Sequence, residues 1–173
     1  TWRGLEVIVS RTHPNLLRNL FELEVPEISD GTIVIRSIAR EPGQRSKVAV
    51  HSVDERVDAV GACVGPRGTR VQAIVEELYE EKIDIVPFSD DPKTFIVNAL
   101  SPAKVNSIKL DEENKSAFCV VPDTQLSLAI GKGGQNVRLA ARLTEWKIDI
   151  RSESQSATEP QNTPKAVQAG GEQ

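Results

Sequence analysis

The sequence predicts an α+β fold laid down twice: two tandem units, each running α-β-β-α-α-β, with a three-stranded sheet covered by helices on one face. Three observations carry that prediction. A glycine loop occurs at Gly65-Pro66-Arg67-Gly68 and again at Gly131-Lys132-Gly133-Gly134, an offset of 66 residues, and Val71 then falls on Val137. The string Lys82-Ile83-Asp84-Ile85 returns as Lys147-Ile148-Asp149-Ile150 with one residue slipped. Each loop is preceded by two β-branched, apolar runs and followed by apolar residues at helical spacing. A period of 66 residues is too long for a solenoid repeat and suits a duplicated small domain.

Taken in order, residues 6–10 read as a strand with no partner in either unit. Residues 14–23 place Leu16, Leu17, Leu20 and Phe21 on one helical stripe, with Pro14 tolerated near the first turn. Residues 32–38 and 47–50 are strands joined by the turn signal Glu41-Pro42-Gly43-Gln44, hence an antiparallel pair. Asp58 is placed to cap a helix over residues 59–64. Past the loop, a second helix over residues 70–79 carries Val71, Ile74, Val75 and Leu78 on one face, and a strand over residues 82–86 closes the unit.

The second unit opens at Asp91-Pro92-Lys93 with a helix carrying Phe95, Ile96, Ala99 and Leu100. Strands over residues 105–110 and 116–121 flank an acidic turn at Asp111 to Asn114, and Asp123 is placed to cap a helix over residues 125–130. After the loop, Val137, Ala140, Ala141 and Thr144 make a small-residue face with Leu139, Leu143 and Trp146 nearby, and residues 147–150 form the last strand. From Ser152 onward the chain is polar and is expected to be disordered, because it offers too little apolar surface to offset its ordering entropy.

Bulk properties narrow the function classes. The chain has 173 residues, 39% hydrophobic and 27% charged, with no apolar run long enough to span a membrane and no signal peptide. It contains no methionine, so it reads as a fragment or a processed chain. Cys63 and Cys119 lie in apolar runs and read as buried free thiols of a reducing compartment, and His13 and His51 lack partners at metal-ligand spacing. Neither a metal nor a cofactor is expected, and no Ser-His-Asp, Cys-His or paired-carboxylate set points to catalysis. The formal net charge of −4 argues against nucleic acid when taken alone. Its distribution is different: Glu76, Glu77, Glu80 and Glu81 form one acidic cluster, while Arg67 and Arg70 flank the first loop and Lys132, Arg138, Arg142, Lys147 and Arg151 surround the second.

Four readings compete for the loops. A Walker loop requires Gly-x-x-x-x-Gly-Lys-Ser/Thr between strand and helix; neither loop has that spacing and both follow helices. A dinucleotide fingerprint fails because Asn136 stands where its last glycine belongs. A purely structural helix-to-helix turn explains one loop more readily than two with basic residues in matching places. A clamp for a single-stranded nucleic-acid backbone uses every residue type present. Gly65, Gly68, Gly131 and Gly134 let a sugar-phosphate approach the turn, the following helix starts favour phosphate, and Pro66, Arg67, Lys132 and Gly133 form the tips, with Arg70, Asn136, Arg138 and Arg142 behind them. No aromatic residue adjoins either loop, so a stacking platform is excluded and recognition would rest on hydrogen bonds and aliphatic contact.

Gly-x-x-Gly between two short helices resembles the KH domain, and the leading helix resembles its type II variant. Longer strings resemble the NusA-like family of bacterial transcription factors: Ser10-Arg11-Thr12-His13-Pro14, Phe21-Glu22-Leu23-Glu24-Val25-Pro26-Glu27-Ile28, Ile38-Ala39-Arg40-Glu41-Pro42-Gly43, Gly61-Ala62-Cys63-Val64-Gly65-Pro66-Arg67-Gly68, Asn98-Ala99-Leu100-Ser101-Pro102-Ala103, and Leu126-Ser127-Leu128-Ala129-Ile130-Gly131-Lys132-Gly133-Gly134-Gln135-Asn136-Val137-Arg138-Leu139-Ala140. The resemblance covers roughly residues 5–151. It implies two type II KH domains, residues 12–88 and 89–151, after a remnant of the last strand of an OB-fold domain in residues 1–11, and before a disordered tail, residues 152–173. It implies single-stranded RNA, the nascent transcript, as ligand, and RNA polymerase and other antitermination factors as partners of the full-length protein, in the cytoplasm. By the same resemblance, the family's polymerase-binding N-terminal domain is expected to be missing from this sequence. A KH pair that docks proteins instead of RNA is the alternative.

Overall fold

The computed structural model describes residues 9–158. Most of the strand expected over residues 6–10, and the tail beyond residue 158, lie outside them.

Helix α1 (Pro14–Glu24) starts where Pro14 fills the first turn and His13 Nδ1 accepts the Asn15 N–H at 3.1 Å, a cap the sequence does not announce. It buries Leu17 and Phe21. At Val25 the chain breaks and restarts as a short helix, α2 (Pro26–Ser29), with Pro26 in its first turn. Strands β1 (Ile33–Glu41) and β2 (Arg45–Ser52) pair antiparallel around the Pro42-Gly43 turn, with an irregularity in β1 between Ile35 and Ser37. Asp58 caps α3 (Ala59–Val64) by accepting the Val60 N–H at 3.1 Å. Past the first loop come α4 (Thr69–Glu77) and β3 (Lys82–Pro87), which lies parallel to β2.

The second unit repeats this order without a counterpart of α2: α5 (Pro92–Ala99), β4 (Ser107–Asp111), β5 (Ser116–Val121), α6 (Leu126–Ile130), α7 (Gln135–Thr144) and β6 (Lys147–Ser152). Its sheet has the order β4-β5-β6, matching β1-β2-β3, antiparallel then parallel. The predicted α+β duplication with two three-stranded sheets is therefore the observed fold.

Three expectations are corrected. Ser152 ends β6, and residues 153–158 form a helix, α8 (Glu153–Thr158), instead of starting a disordered tail. Asp123 does not cap α6; it opens a single 3-10 turn (Asp123–Gln125), and its carboxylate accepts the Ser154 N–H at 3.1 Å and the Ser154 hydroxyl at 2.5 Å. Docking α8 therefore uses the side chain that pattern alone assigns to capping. Glu81 leaves the acidic cluster: its side chain is 1% exposed and takes a bidentate pair from Arg40 at 2.8 and 2.9 Å, the Ser46 hydroxyl at 2.7 Å and the Gly43 N–H at 3.1 Å. Burial alone would raise its carboxyl, but the bonds from Arg40, Ser46 and Gly43 outweigh burial and hold it below the usual range.

The two cores are not separate by unit. One gathers Leu17, Phe21, Ile35, Val48, Cys63 and Ile74 beneath the helices of the first unit. The other joins Ala39, Ala49 and Val86, from the opposite face of the first sheet, to Phe95, Ile96, Leu100, Leu139 and Leu143 of the second unit. Helices α5 and α7 thus cover the far side of the first sheet. Lys47 is sealed at this seam, 0% exposed, donating to Asp84 Oδ2 at 3.1 Å and to the Ser101 carbonyl at 2.9 Å. Ser37 Oγ donates to the Leu143 carbonyl at 3.0 Å.

Candidate nucleic-acid interface

The two glycine loops have the same backbone. Gly65 stands at φ 75°, ψ 170° and Gly131 at φ 76°, ψ 168°. Arg67 (φ 56°, ψ 25°) matches Gly133 (φ 61°, ψ 23°), and Gly68 (φ 77°, ψ 14°) matches Gly134 (φ 74°, ψ 14°). Each loop hangs from the helix before it, through Gly65 N–H to the Gly61 carbonyl and Gly131 N–H to the Ser127 carbonyl, both at 2.9 Å. Each closes on itself, Gly68 N–H to Gly65 at 3.0 Å and Gly134 N–H to Gly131 at 3.1 Å. The structural correspondence therefore pairs Pro66 with Lys132 and Arg67 with Gly133. An arginine holds a left-handed conformation at the first tip where the second has glycine.

Both following helices begin on a glycine cap, with no side chain bonded to the first-turn N–H groups. Those donors and the helix dipole face the loop, which is the arrangement that accepts a phosphate oxygen. Pro66, Arg67, Lys132 and Gly133 are exposed, and so is Arg142 on α7.

Two predicted site residues sit elsewhere than expected. Arg70 and Asn136 occupy the same place in the repeat, five residues after the first glycine of each loop. Arg70 Nη1 donates to the Ala62 carbonyl at 2.7 Å and to Glu27 Oε2 at 3.0 Å. Asn136 is 2% exposed, and its Nδ2 donates to the Ala129 and Leu100 carbonyls at 3.0 and 3.1 Å. Both side chains turn inward because the helix before each loop ends there with unpaired carbonyls, which they satisfy. Their placement also explains the first glycine: a Cβ on Gly131 would meet the backbone Asn136 N at 2.7 Å, and one on Gly65 would meet the Arg70 side chain, Cγ, at 2.7 Å.

Arg138 is half-committed. Its Nε donates to Glu41 Oε1 at 2.5 Å and its Nη1 to the Gly133 carbonyl at 3.1 Å, leaving it 44% exposed. The Arg138 and Gln135 hydrogen bonds hold the Glu41 carboxyl below its ordinary value. Glu41 and Gln44 read from the sequence only as part of the β1–β2 turn, because the side chains they meet lie 91 or more residues away.

Two phenylalanines meet at the seam between the units. Phe88 and Phe95 meet edge-on at 5.0 Å, and Arg36 lies over Phe88 at 5.0 Å. Both cysteines are buried and unpaired, and burial pushes each thiol up to about 11, so neither is a nucleophile at neutral pH. Among the described residues no cluster of His, Cys, Asp or Glu could hold a metal, and no helix is long and apolar enough to cross a membrane.

Comparison with known proteins agrees with this geometry. Residues 11–88 match the model of the NusA-like first KH domain and residues 92–158 that of the NusA-like second KH domain. Proteins named "Transcription termination/antitermination protein NusA" are 62% identical over 154 residues in Bacillus subtilis (strain 168), 61% over 156 in Halalkalibacterium halodurans and 56% over 146 in Thermus thermophilus. These alignments cover 89%, 90% and 84% of this chain but 42%, 41% and 38% of those relatives, so the chain spans about two fifths of their length. The crystal structure of APE1850 superposes with a TM-score of 0.57 at 26% identity, covering 78% of this chain and 96% of that one. The chain belongs to the NusA family and carries that family's consecutive pair of KH domains.

Proposed function

We propose that the two loops grip the backbone of one single-stranded RNA. The observation that carries this reading is the duplication of a single conformation: two loops, each with exposed tip residues and each opening an uncapped helix, mounted on units that share a core. Phosphates would lie over Pro66-Arg67 and Lys132-Gly133. Arg67 and Lys132 supply charge, and Arg142 extends the basic surface along α7. Gly65, Gly68, Gly131 and Gly134 shape the turns, Arg70 and Asn136 hold them from behind, and Arg138 acts at the second loop. Because the units are docked, the second contact forms at high effective concentration once the first is made.

In the longer protein this pair would hold the nascent transcript while other parts engage RNA polymerase and further antitermination factors, so that RNA contact biases pausing, termination and antitermination in the cytoplasm. No catalytic step or cofactor belongs to this reading. The test is fluorescence anisotropy with labelled single-stranded RNA at two salt concentrations, comparing the wild type with Pro66→Asp/Arg67→Asp and with Lys132→Asp/Gly133→Asp. Aspartate tolerates the left-handed tip better than most residues, so the variants should fold. Wild-type binding should weaken with salt, and each pair of substitutions should reduce affinity by about tenfold or more, since each adds repulsion at a phosphate site. No binding by the folded wild type would sink the reading and leave a protein-docking pair.

A further inference from the structure

Loop 2 is tied to the first unit, and among the described residues loop 1 has no equivalent tie to the second. The Glu41 carboxylate, at the β1–β2 turn, accepts from Gln135 Nε2 at 2.8 Å with one oxygen and from Arg138 Nε at 2.5 Å with the other. Gln135 also donates to Gln44 Oε1 at 3.0 Å. Arg138 then uses Nη1 to hold the carbonyl of Gly133, the left-handed tip residue of loop 2. A continuous path of hydrogen bonds thus runs from a turn of the first unit through one guanidinium to the tip of the second loop. In the first unit the residue matching Arg138 is Gln72, whose amide bonds Glu76 one turn along its own helix at 3.3 Å, away from the tip.

We infer that Glu41 is a positioning residue that braces the second loop: through Arg138 it holds the Gly133 carbonyl, so that loop 2 reaches its RNA-gripping conformation only when the first unit is docked against it. The inference rests on the RNA-binding reading for its effect on affinity, but not for its effect on the loop itself. A glycine tip has more backbone freedom than any other residue. Loop 1 restricts its tip by placing Arg67 there; loop 2, with Gly133, restricts it from outside. A simpler role as mere counter-charge makes the opposite prediction. A carboxylate beside a phosphate site repels the ligand, so its removal should tighten binding if charge were all it supplied.

Two readouts separate these possibilities. In RNA-free protein, backbone amide exchange at Gly134, whose N–H closes loop 2, should accelerate about threefold or more in Glu41→Ala, while Gly68 in loop 1 is unchanged. Ser37→Ala, which cuts a seam bond at the far end of α7 without touching the loop, should leave Gly134 unchanged. With loop 1 disabled by Pro66→Asp/Arg67→Asp, Glu41→Ala should weaken binding of a short labelled single-stranded RNA by about fivefold despite removing a negative charge. Glu41→Gln, which keeps the shape and one acceptor, should fall between. Unchanged exchange at Gly134, or tighter RNA binding in Glu41→Ala, overturns the brace. If exchange accelerates while wild-type protein binds no RNA, the brace stands and the RNA reading fails.

Discussion

At the scale of single residues, glycines in the same loop have different reasons for being glycine. Gly131 needs both a positive φ and the empty space, because a Cβ would meet Asn136 N at 2.7 Å and Asn136 Cβ at 2.8 Å. Gly133 needs only the φ of 61°, with nothing within 4 Å. Gly131→Ala should therefore cost about 3 kcal/mol and Gly133→Ala about 1 kcal/mol, measured by denaturant unfolding. Sequence reading located both loops because glycine and cation spacing are local signals. It did not show that Asn136 and Arg70 turn inward, because a polar side chain beside a loop looks alike whether it faces solvent or turns back to satisfy a helix end. That choice depends on carbonyls of the preceding helix, which pattern does not display.

At the scale of elements, the strands and paired helices were legible from apolar periodicity, and the misses fall where a side chain answers to a distant partner. Asp123 is the clearest case, since its position promises a cap and its carboxylate serves α8. Glu81 is another, at the entrance to β3, where it ties the β1–β2 turn to that strand through Arg40, Ser46 and Gly43. Its carboxyl lies below the ordinary 4.5. The stability it contributes should be complete above about pH 4.5 and lost as pH falls through its lowered value. Glu81→Gln should be less stable at neutral pH by about 3 kcal/mol, because Arg40 is left buried without its counter-charge. Its acid unfolding curve should also be flatter below the ordinary carboxylate range, as measured by circular dichroism across pH.

For the whole molecule, the duplication was readable but the seam was not. Ala49 and Val86 read as members of the first sheet alone, and Ala39 lies just past the strand predicted over residues 32–38, yet all three complete the core of the second unit. Both units should therefore unfold in one transition when followed by Trp146 fluorescence and by far-ultraviolet circular dichroism together. Lys47→Ala should lower the common midpoint at a cost of about 2 kcal/mol, less than for most broken buried pairs, because Asp84 still accepts from Arg45 Nε and Nη2 at 2.8 and 2.9 Å. Separate transitions would contradict the shared core. The covered sheet face also bears on how the two copies have parted since they were alike. Register places Phe118 and Asp149 of the second sheet where the first has Lys47 and Asp84, and Val120 and Arg151 where the first has Ala49 and Val86. A chimera with the second copy in first place would set a larger side chain and a cation beneath α5 and α7, in space shaped for alanine and valine. The repeats have ceased to be interchangeable parts: their order along the chain is now written into the sheet that one of them lends to the other.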